Sequence, residues 1–324
     1  MECAGVLPYR KPMPRRLHAH IVAALSVAAI LAPAALLLAQ DEEIAFVISV
    51  FDANGRPVRD LARDEIVLTE NGVAGEIIKV EPFILPVELT VAVDNGPLST
   101  DALAHYRTGL AGLIRALPSD VEVTLITMSP QPMMVVQPTT DRVRLLRGVT
   151  GFAPQDDSPR FTDTLVEFAR RYEAEMRKTN RIDSVPVLLM VSTPVTEAVS
   201  YAAGEITQAL GFLERRRARV HVAMLNVRRN ASARAAIDEG RQTMIAIPAT
   251  KVTRGRYETI ANSSRLVTLL PEMGTEIAAL HRKQVNQLLV TARRAPGRRG
   301  PLQNPQIGLT RKGMTGSVSL DGLP

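Results

Sequence analysis

The sequence has no tryptophan, one cysteine and few aromatic residues, which make up 4% of its 324 residues. A surface that binds through stacked bases or aromatic anchors is therefore not expected. The single cysteine, Cys3, excludes an internal disulfide, a cysteine zinc site and an iron–sulfur cluster. Hydrophobic residues at 46% and charged residues at 22% lie near globular averages, so the chain is expected to fold, with a length that suits about two domains.

The common catalytic motifs are also missing from the sequence. It contains no Gly-x-Ser-x-Gly elbow, no glycine-rich phosphate loop and no His-Glu-x-x-His motif. His105 falls in a predicted helix and His221 in a predicted strand, and neither has a partner motif, so both are expected to be structural. Asp156 and Asp157 are adjacent in a predicted loop and are expected to face solvent rather than to perform acid–base catalysis. These absences predict a protein that is not an enzyme.

The first forty residues are predicted to be an export segment and not part of the fold. An unbroken apolar stretch runs from Ile21 to Ala39 and follows several basic residues. Such a pattern is typical of a cleaved signal peptide, but its length also approaches that of a membrane anchor, so both interpretations of residues 1–40 stay open. In either case the rest of the chain is expected to be exported. The location would be the periplasm, the extracellular space or the outer face of the inner membrane, and residues 21–39, if uncleaved, would make the only membrane contact.

Residues 41–85 are predicted to form a small antiparallel β unit. Three short β-prone runs are joined by turn signals such as Asn71-Gly72. The runs are Ile44 to Phe51, Glu65 to Glu70, and Ile77 to Val80. Pro82 and Pro86 then interrupt the pattern and predict a domain boundary.

Residues 86–284 show apolar strands that alternate with amphipathic helices. The predicted strands are Val87 to Val93, Val121 to Met128, the short edge strand Met133 to Val136, Val187 to Val191, and Val220 to Leu225. Helical spacing of apolar residues marks Leu103 to Leu117, Leu165 to Tyr172, Ile206 to Leu213, and Met273 to Gln284. This order predicts an α/β fold with a Rossmann-like, mostly parallel sheet flanked by helices. Ligands of such sheets bind at the carboxyl ends of the strands, so the strand-end loops are the candidate site.

Several local predictions follow from single residues. Ser99 is expected to cap the first helix and Thr162 to cap the second, because each hydroxyl can accept a free backbone N–H. Pro271 is placed near the start of the last helix. The pair Met133-Met134 is expected to fill the core. The segment Met244 to Ile247 is assigned to a strand.

Residues 285–324 are predicted to be a closing strand followed by a basic tail. The strand covers Val285 to Ala292. From His281 to Lys312 there are eight Lys or Arg residues and no Asp or Glu. A solvated helix end and a flexible tail are the expected state of this stretch, although it could also touch anionic polymers or lipid. Export makes nucleic acid an unsuitable partner.

Three separated segments carry a family resemblance. The first is Val50-Phe51-Asp52-Ala53-Asn54-Gly55-Arg56-Pro57-Val58, with Leu61, Asp64 and Glu70-Asn71-Gly72 behind it. The second is a strand that ends in Asp94, followed by a helix, and the third is Gly255-Arg256-Tyr257 with Leu269-Leu270-Pro271 and Ile277. In this order they resemble a von Willebrand factor A domain, and in particular the bacterial exported proteins called von Willebrand factor A-related. The resemblance covers about residues 44–292.

The family often holds a divalent metal, and the resemblance implies where that site would lie. The motif needs Asp-x-Ser-x-Ser after one strand, a Thr from a second loop and an Asp from a third. Asp94 matches the first position and Thr162 the threonine. Gly96 and Leu98 stand at the two serine positions, and Ser192 stands where the family has Asp. Mg²⁺ needs about six hard oxygen ligands, so we expect a degenerate site without a cofactor, with Asp94 and Thr162 as the residual metal candidates.

The sequence therefore predicts an exported, non-enzymatic protein-binding module of the adhesion or scaffold type. Its partner would be an unidentified protein or another macromolecule of the cell envelope. The residues predicted to form the binding rim are Asp94, Asn95, Ser99, Thr162, Asp163 and Ser192. Two alternatives stay open: an adhesion domain with a working Mg²⁺ site, to which Ser99 would contribute, and, more remotely, a hydrolase on a similar sheet.

Overall fold

The computed structural model of the chain describes residues 42–179, 183–226, 233–298 and 300–319. The first eight strands are β1 Glu43–Phe51, β2 Ile66–Glu70, β3 Val73–Ala74, β4 Glu76–Phe83, β5 Val87–Val93, β6 Glu122–Thr127, β7 Met133–Thr139 and β8 Val185–Ser192. The other five are β9 Arg219–Leu225, β10 Tyr257–Ile260, β11 Gln287–Arg293, β12 Pro305–Leu309 and β13 Thr315–Ser319. The helices are α1 Leu103–Ala116, α2 Arg142–Gly151, α3 Phe161–Thr179, α4 Ala203–Arg215, α5 Ala233–Val252 and α6 Leu266–Gln284.

A six-stranded sheet forms the centre of the molecule, in the order β10-β9-β8-β5-β6-β7. All neighbouring strands run parallel except β7, which is antiparallel to β6. Every residue of β8 is buried, as expected for a central strand covered on both faces. Helices α1, α2 and α6 cover one face, and α3, α4 and α5 cover the other. The predicted Rossmann-like α/β fold with an additional antiparallel β unit is thus confirmed.

Apolar periodicity explains why these helices form where they do. Tyr106, Leu110 and Leu113 recur on one face of α1, and all three are buried against the sheet. Leu165 and Ala169 do the same in α3 on the opposite face. Because the two cores share the sheet as their common wall, the strand ends are held in fixed positions relative to each other.

The early strands do not form one sheet, and this corrects the sequence prediction. β1 and β4 lie in a four-stranded antiparallel sheet, β13-β1-β11-β4, in which β11 separates them. β2 belongs to a second sheet with β3 and β12. The tight turn predicted at Asn71-Gly72 is present, with positive φ angles of 49° and 78°. Pro82 lies inside β4 rather than at a boundary, which is tolerated because β4 is an edge strand.

The basic C-terminal segment is not a solvated tail up to residue 319. β11 pairs with both β1 and β4, β12 pairs with β2, and β13 pairs with β1. The side chain of Arg294, which is 1% exposed, binds Glu70 at 2.5 Å and Glu42 at 2.7 Å. Arg294 thus neutralises two acidic residues from the N-terminal part of the described chain, and the two ends of that chain build one β unit.

Several other local predictions are wrong. Met244 to Ile247 belongs to α5, not to a strand, and Pro271 lies inside α6, which begins earlier, at Leu266. Met133 and Met134 are 50% and 42% exposed and do not fill the core.

Other elements have no counterpart among the predictions. The sequence patterns did not indicate α2, β10, β12 or β13. Among the described residues, no helix combines the length and the apolar character that crossing a membrane requires. The predicted export segment falls on residues 1–40, which lie outside the described residues.

His221 in β9 gives the fold a testable pH dependence. Burial, with the nearby charges of Arg219 and Arg256, lowers the pKa of His221 from 6.5 to about 4. The unfolded chain therefore binds a proton at this residue at higher pH than the folded chain does. We expect the free energy of unfolding to fall by about 3 kcal/mol as the pH drops from about 6.5 to about 4.

The control for this prediction is His221→Asn. The Nδ1 atom of His221 accepts a hydrogen bond from the backbone N–H of Arg256 at 3.2 Å, and an asparagine oxygen can take the same role without titrating. Urea unfolding at a series of pH values should show a flatter profile for the variant. Parallel profiles for the two proteins would contradict the prediction.

Candidate functional site

Asp94 joins the ends of two central strands. It directly follows β5, and its backbone N–H donates to the carbonyl of Val191 in β8 at 2.8 Å. Oδ1 of Asp94 accepts from the backbone N–H of Gly96 at 2.7 Å. Oδ2 accepts from the backbone N–H of Thr193 at 3.0 Å and also from the Thr193 hydroxyl. Both carboxylate oxygens therefore have partners within the chain.

The electrostatics of Asp94 follow from its depth. The residue is 1% exposed, and burial raises the pKa of its carboxyl group, while the hydrogen bonds from Thr193 and Gly96 act in the opposite direction. A buried carboxylate is costly unless donors replace the lost water, so these bonds are required to hold it in place. Asp94 thus satisfies the backbone N–H of Gly96 within its own turn, as Asp side chains commonly do.

The loop of residues 153–159 lies over this turn and is fastened by Asn95. The Nδ2 group of Asn95 donates to the carbonyl of Ala153 at 2.9 Å, and the N–H of Gln155 donates to the carbonyl of Asn95 at 2.7 Å. Oδ1 of Asn95 accepts from the N–H of Ser129 at 3.0 Å. One side chain thus ties together the loops that follow β5, β6 and α2.

Gly96 is the point of closest approach between the turn and this loop. A Cβ atom at Gly96 would lie 2.8 Å from the carbonyl oxygen of Asp157 and 3.1 Å from Cδ of Pro159. The first distance is shorter than real Cβ contacts, so any larger residue must displace backbone. The glycine therefore lets the loop close over Asp94.

Thr162 lies in the first turn of α3 and binds a carboxylate that the sequence patterns did not single out. Its N–H and its hydroxyl donate to Glu197 at 3.1 and 2.5 Å. Burial raises the pKa of Glu197, and the two Thr162 bonds oppose this shift. A carboxylate at a helix N-terminus satisfies free N–H groups there. Thr162 is therefore not the cap of α3, which begins at Phe161. The only sequence feature that pointed to Glu197 was its position at the end of a strand-end loop.

The loop of residues 193–202 has further fastenings to the start of α3. The N–H and hydroxyl of Ser200 donate to Asp163 at 2.9 and 2.7 Å. Arg160 donates to the carbonyl of Ala198 at 2.6 Å. Together with Glu197 these bonds hold the loop in one position.

The two serines of the predicted rim also bond internally. The Ser99 hydroxyl donates to the Gly96 carbonyl at 2.8 Å, and the Ser192 hydroxyl points to the Thr193 carbonyl at 3.4 Å. Ser99 lies in a 3-10 turn at Pro97–Ala102, and Ala102, not Ser99, is the N-cap of α1.

The six predicted rim residues all lie at the carboxyl edge of the parallel sheet, but they are buried. Their exposed fractions are 0–5%, for Asp94, Asn95, Ser99, Thr162, Asp163 and Ser192. They support the loops and do not line the outer surface. Among the exposed residues of the same loops, we define the rim surface as Pro97, Thr100, Asp101, Gln155, Asp156, Asp157, Thr196 and Val199.

The residues at this edge do not fit the divalent metal that the family resemblance implies. Gly96 and Leu98 offer no side-chain oxygen. The N–H groups of Gly96 and Thr193 and the Thr193 hydroxyl donate to the Asp94 oxygens and use three of its roughly four lone-pair sites, so they compete with a cation for this carboxylate. The hydroxyl of Thr162 donates to Glu197, so its orientation is set by that carboxylate. Within the described part of the chain, no group of three or more His, Cys, Asp and Glu side chains is placed to hold a metal.

Restoring a family serine at Gly96 should damage the fold rather than build a metal site. We expect Gly96→Ser to lower the free energy of unfolding by about 1–3 kcal/mol, because its Cβ displaces the carbonyl of Asp157. The matched control is Gly151→Ser, since a Cβ at Gly151 meets nothing within 4 Å. Denaturant unfolding of both variants checks the prediction, and equal stabilities would contradict the close packing of this loop on the turn.

No protein-family model matches this chain, and no curated protein matches it. Similar solved structures include a von Willebrand factor type A protein from Catenulispora acidiphila, with 9% identity, a TM-score of 0.47, and coverage of 85% of this chain and 72% of that one. Conserved hypothetical protein BatB from Bacteroides thetaiotaomicron has 13% identity and a TM-score of 0.44, over 60% of this chain and 99% of its own. The pilus adhesin SpaC from Lactobacillus rhamnosus GG has 8% identity and a TM-score of 0.48, over 84% of this chain and 47% of its own. The solved structures similar to this chain thus include von Willebrand factor A domains, a bacterial one among them.

Proposed function

We propose that the chain is an exported, non-enzymatic protein-binding module of the adhesion or scaffold type, with a degenerate metal site. The observation that carries this proposal is the contrast between buried and exposed residues in the same loops. The six predicted rim residues are buried and hydrogen-bonded within the chain, whereas the rim surface above them is exposed. Because the buried residues hydrogen-bond the loops to the rest of the fold, the exposed residues of the loops present one fixed shape, which suits recognition of a folded partner.

The chemistry of the rim surface supports a protein partner recognised by shape and hydrogen bonds. It combines the carboxylates of Asp101, Asp156 and Asp157 with the amide of Gln155 and the apolar side chain of Val199. Such a mixture is typical of non-obligate protein interfaces, which are about as polar as the rest of a protein surface.

The histidines of the described residues support the non-enzymatic part of the proposal. Nδ1 of His281 accepts the N–H of Val87 at 3.2 Å, so its Nε2 carries the proton that is donated to Asp120 at 3.0 Å. His221 accepts a backbone N–H. His105 contacts the Ser263 hydroxyl at 2.9 Å, but no hydrogen bond from its other ring nitrogen to a carboxylate is found among the described residues. A nucleophile–base–acid arrangement is therefore not assembled in this part of the chain.

The export part of the proposal rests on the apolar stretch from Ile21 to Ala39 and the bases in front of it. An exported module would meet its partner in the periplasm, outside the cell or at the outer face of the inner membrane. The partner is accordingly a protein or another macromolecule of the cell envelope.

The test is loss of a partner when the rim surface is changed. Asp156→Ser with Asp157→Ser removes two exposed carboxylates, and Asp64→Ser with Asp183→Ser is the matched control elsewhere on the surface. Affinity capture from envelope extracts, with quantitative mass spectrometry, should show at least one protein whose recovery falls about tenfold for the rim variant only.

Two results would contradict the proposal. One is a set of captured proteins that does not change when residues 155–157 and 196–199 are replaced. The other is steady turnover by the wild-type chain of an ester, peptide or phosphate substrate, which would place it among the enzymes.

A further inference from the structure

Strand β7 is an open edge of the central sheet. Only β6 pairs with it, so the outer N–H and C=O groups of β7 lack strand partners among the described residues. Pro138 has no N–H and ends the part of the edge that can accept another strand. The usable segment is therefore Met133 to Gln137.

The side chains of this segment are unusually apolar for an exposed edge. Met133, Met134 and Val135 are 50%, 42% and 37% exposed, and Val143 at the start of α2 is 60% exposed. An uncovered apolar edge strand promotes association with other strands, and proteins normally protect such edges with charges or cover them.

The charges around the two edges of the sheet differ. Residues 129–140 contain no Lys, Arg, Asp or Glu. At the opposite edge, β10 is flanked by the ion pairs that Arg256 and Arg265 make with Glu258. A two-fold axis sets a strand beside its own copy, so charges of one sign on the strand come near the same charges on the copy. Self-pairing is therefore favoured by an uncharged strand and opposed by a charged one.

Helix α2 adds charge complementarity to the same edge. It packs beside β7, where a Cβ at Gly148 would touch Val136. Asp141 is its N-cap, and Arg144 and Arg147 are exposed further along the helix. A two-fold axis perpendicular to the sheet sets two copies of α2 antiparallel, so the acidic start of each helix lies toward the basic part of the other.

We propose that β7 pairs antiparallel with β7 of a second copy of this chain, centred on Val135. The two six-stranded sheets then form one continuous sheet, with the two α2 helices side by side on one face. Five residues per strand make a small interface, of the size found in weak or transient complexes. This dimer leaves the rim surface available, and it stands or falls independently of the proposed function.

Site-directed disulfide formation in the full chain tests the pairing. In a Cys3→Ser background, Val135→Cys places a thiol at the two-fold axis, and Met244→Cys, at a position 74% exposed on α5, is the matched control. The chain is kept in excess nonionic detergent so that residues 21–39 do not associate. We expect dimer cross-linking to be at least about tenfold faster at position 135, because pairing raises the effective thiol concentration. Adding Met133→Lys, which charges the exposed edge, should reduce this rate to the control value.

Equal cross-linking rates at positions 135 and 244 would overturn the proposal. It would also fail if Met133→Lys left fast cross-linking at position 135 unchanged, since the contact would then not involve the strand edge. Unchanged far-ultraviolet circular dichroism and melting temperature of the Lys variant show that it remains folded, as expected for a half-exposed position.

Discussion

The hydrogen bonds that the Asp94 carboxylate accepts are the interaction on which the loops at the carboxyl edge of the central sheet depend. They join the end of β5 to Thr193 after β8 and shape the turn through Gly96. A carboxylate this deeply buried is stable only when donors replace its water. The loop of residues 153–159 then closes on this turn and is fastened there by Asn95, so the position of the exposed residues it carries depends on the shape of the turn.

The same bonds explain why we propose a surface for macromolecules, and not a cation site, at this edge. The donors that stabilise Asp94 use most of its lone pairs, and the hydroxyl of Thr162 is oriented by its hydrogen bond to Glu197. Polar residues at the carboxyl ends of parallel strands thus serve here as a support for loops. At the far end of the chain Arg294 has a comparable role, because it fastens the C-terminal strands to Glu70.

Periodicity was sufficient to predict every strand of the central sheet except β10, because strands such as β8 are apolar throughout and helices such as α1 repeat Leu110 and Leu113 at helical spacing. Periodicity failed to predict strand pairing where the two strands are distant in sequence. The pairing of β1 with β11 and of β12 with β2 depends on tertiary contacts that no local pattern encodes. The four-residue run at Met244 was assigned to a strand because a short apolar run does not distinguish a strand from a helix.

The residues predicted for the binding rim do lie at the carboxyl edge of the sheet, but their burial was not foreseen. Asp94 and Thr162 are polar, and polarity suggests exposure until their hydrogen-bond partners are known. Glu197 could not be selected, since its pairing with Thr162 spans 35 residues.

Electron paramagnetic resonance of Mn²⁺ tests the central claim most directly, because the sharp signal of the free aqua ion disappears on binding. With about 100 μM chain and Mn²⁺ up to about 1 mM, we predict that the concentration of free Mn²⁺ equals the total concentration added. Any small difference, from weak binding to surface carboxylates, should be the same for Asp94→Ala. The melting temperature should likewise barely change. Saturable binding of one Mn²⁺ per wild-type chain, absent from Asp94→Ala, would contradict this prediction, because it would show that the carboxylate binds a cation.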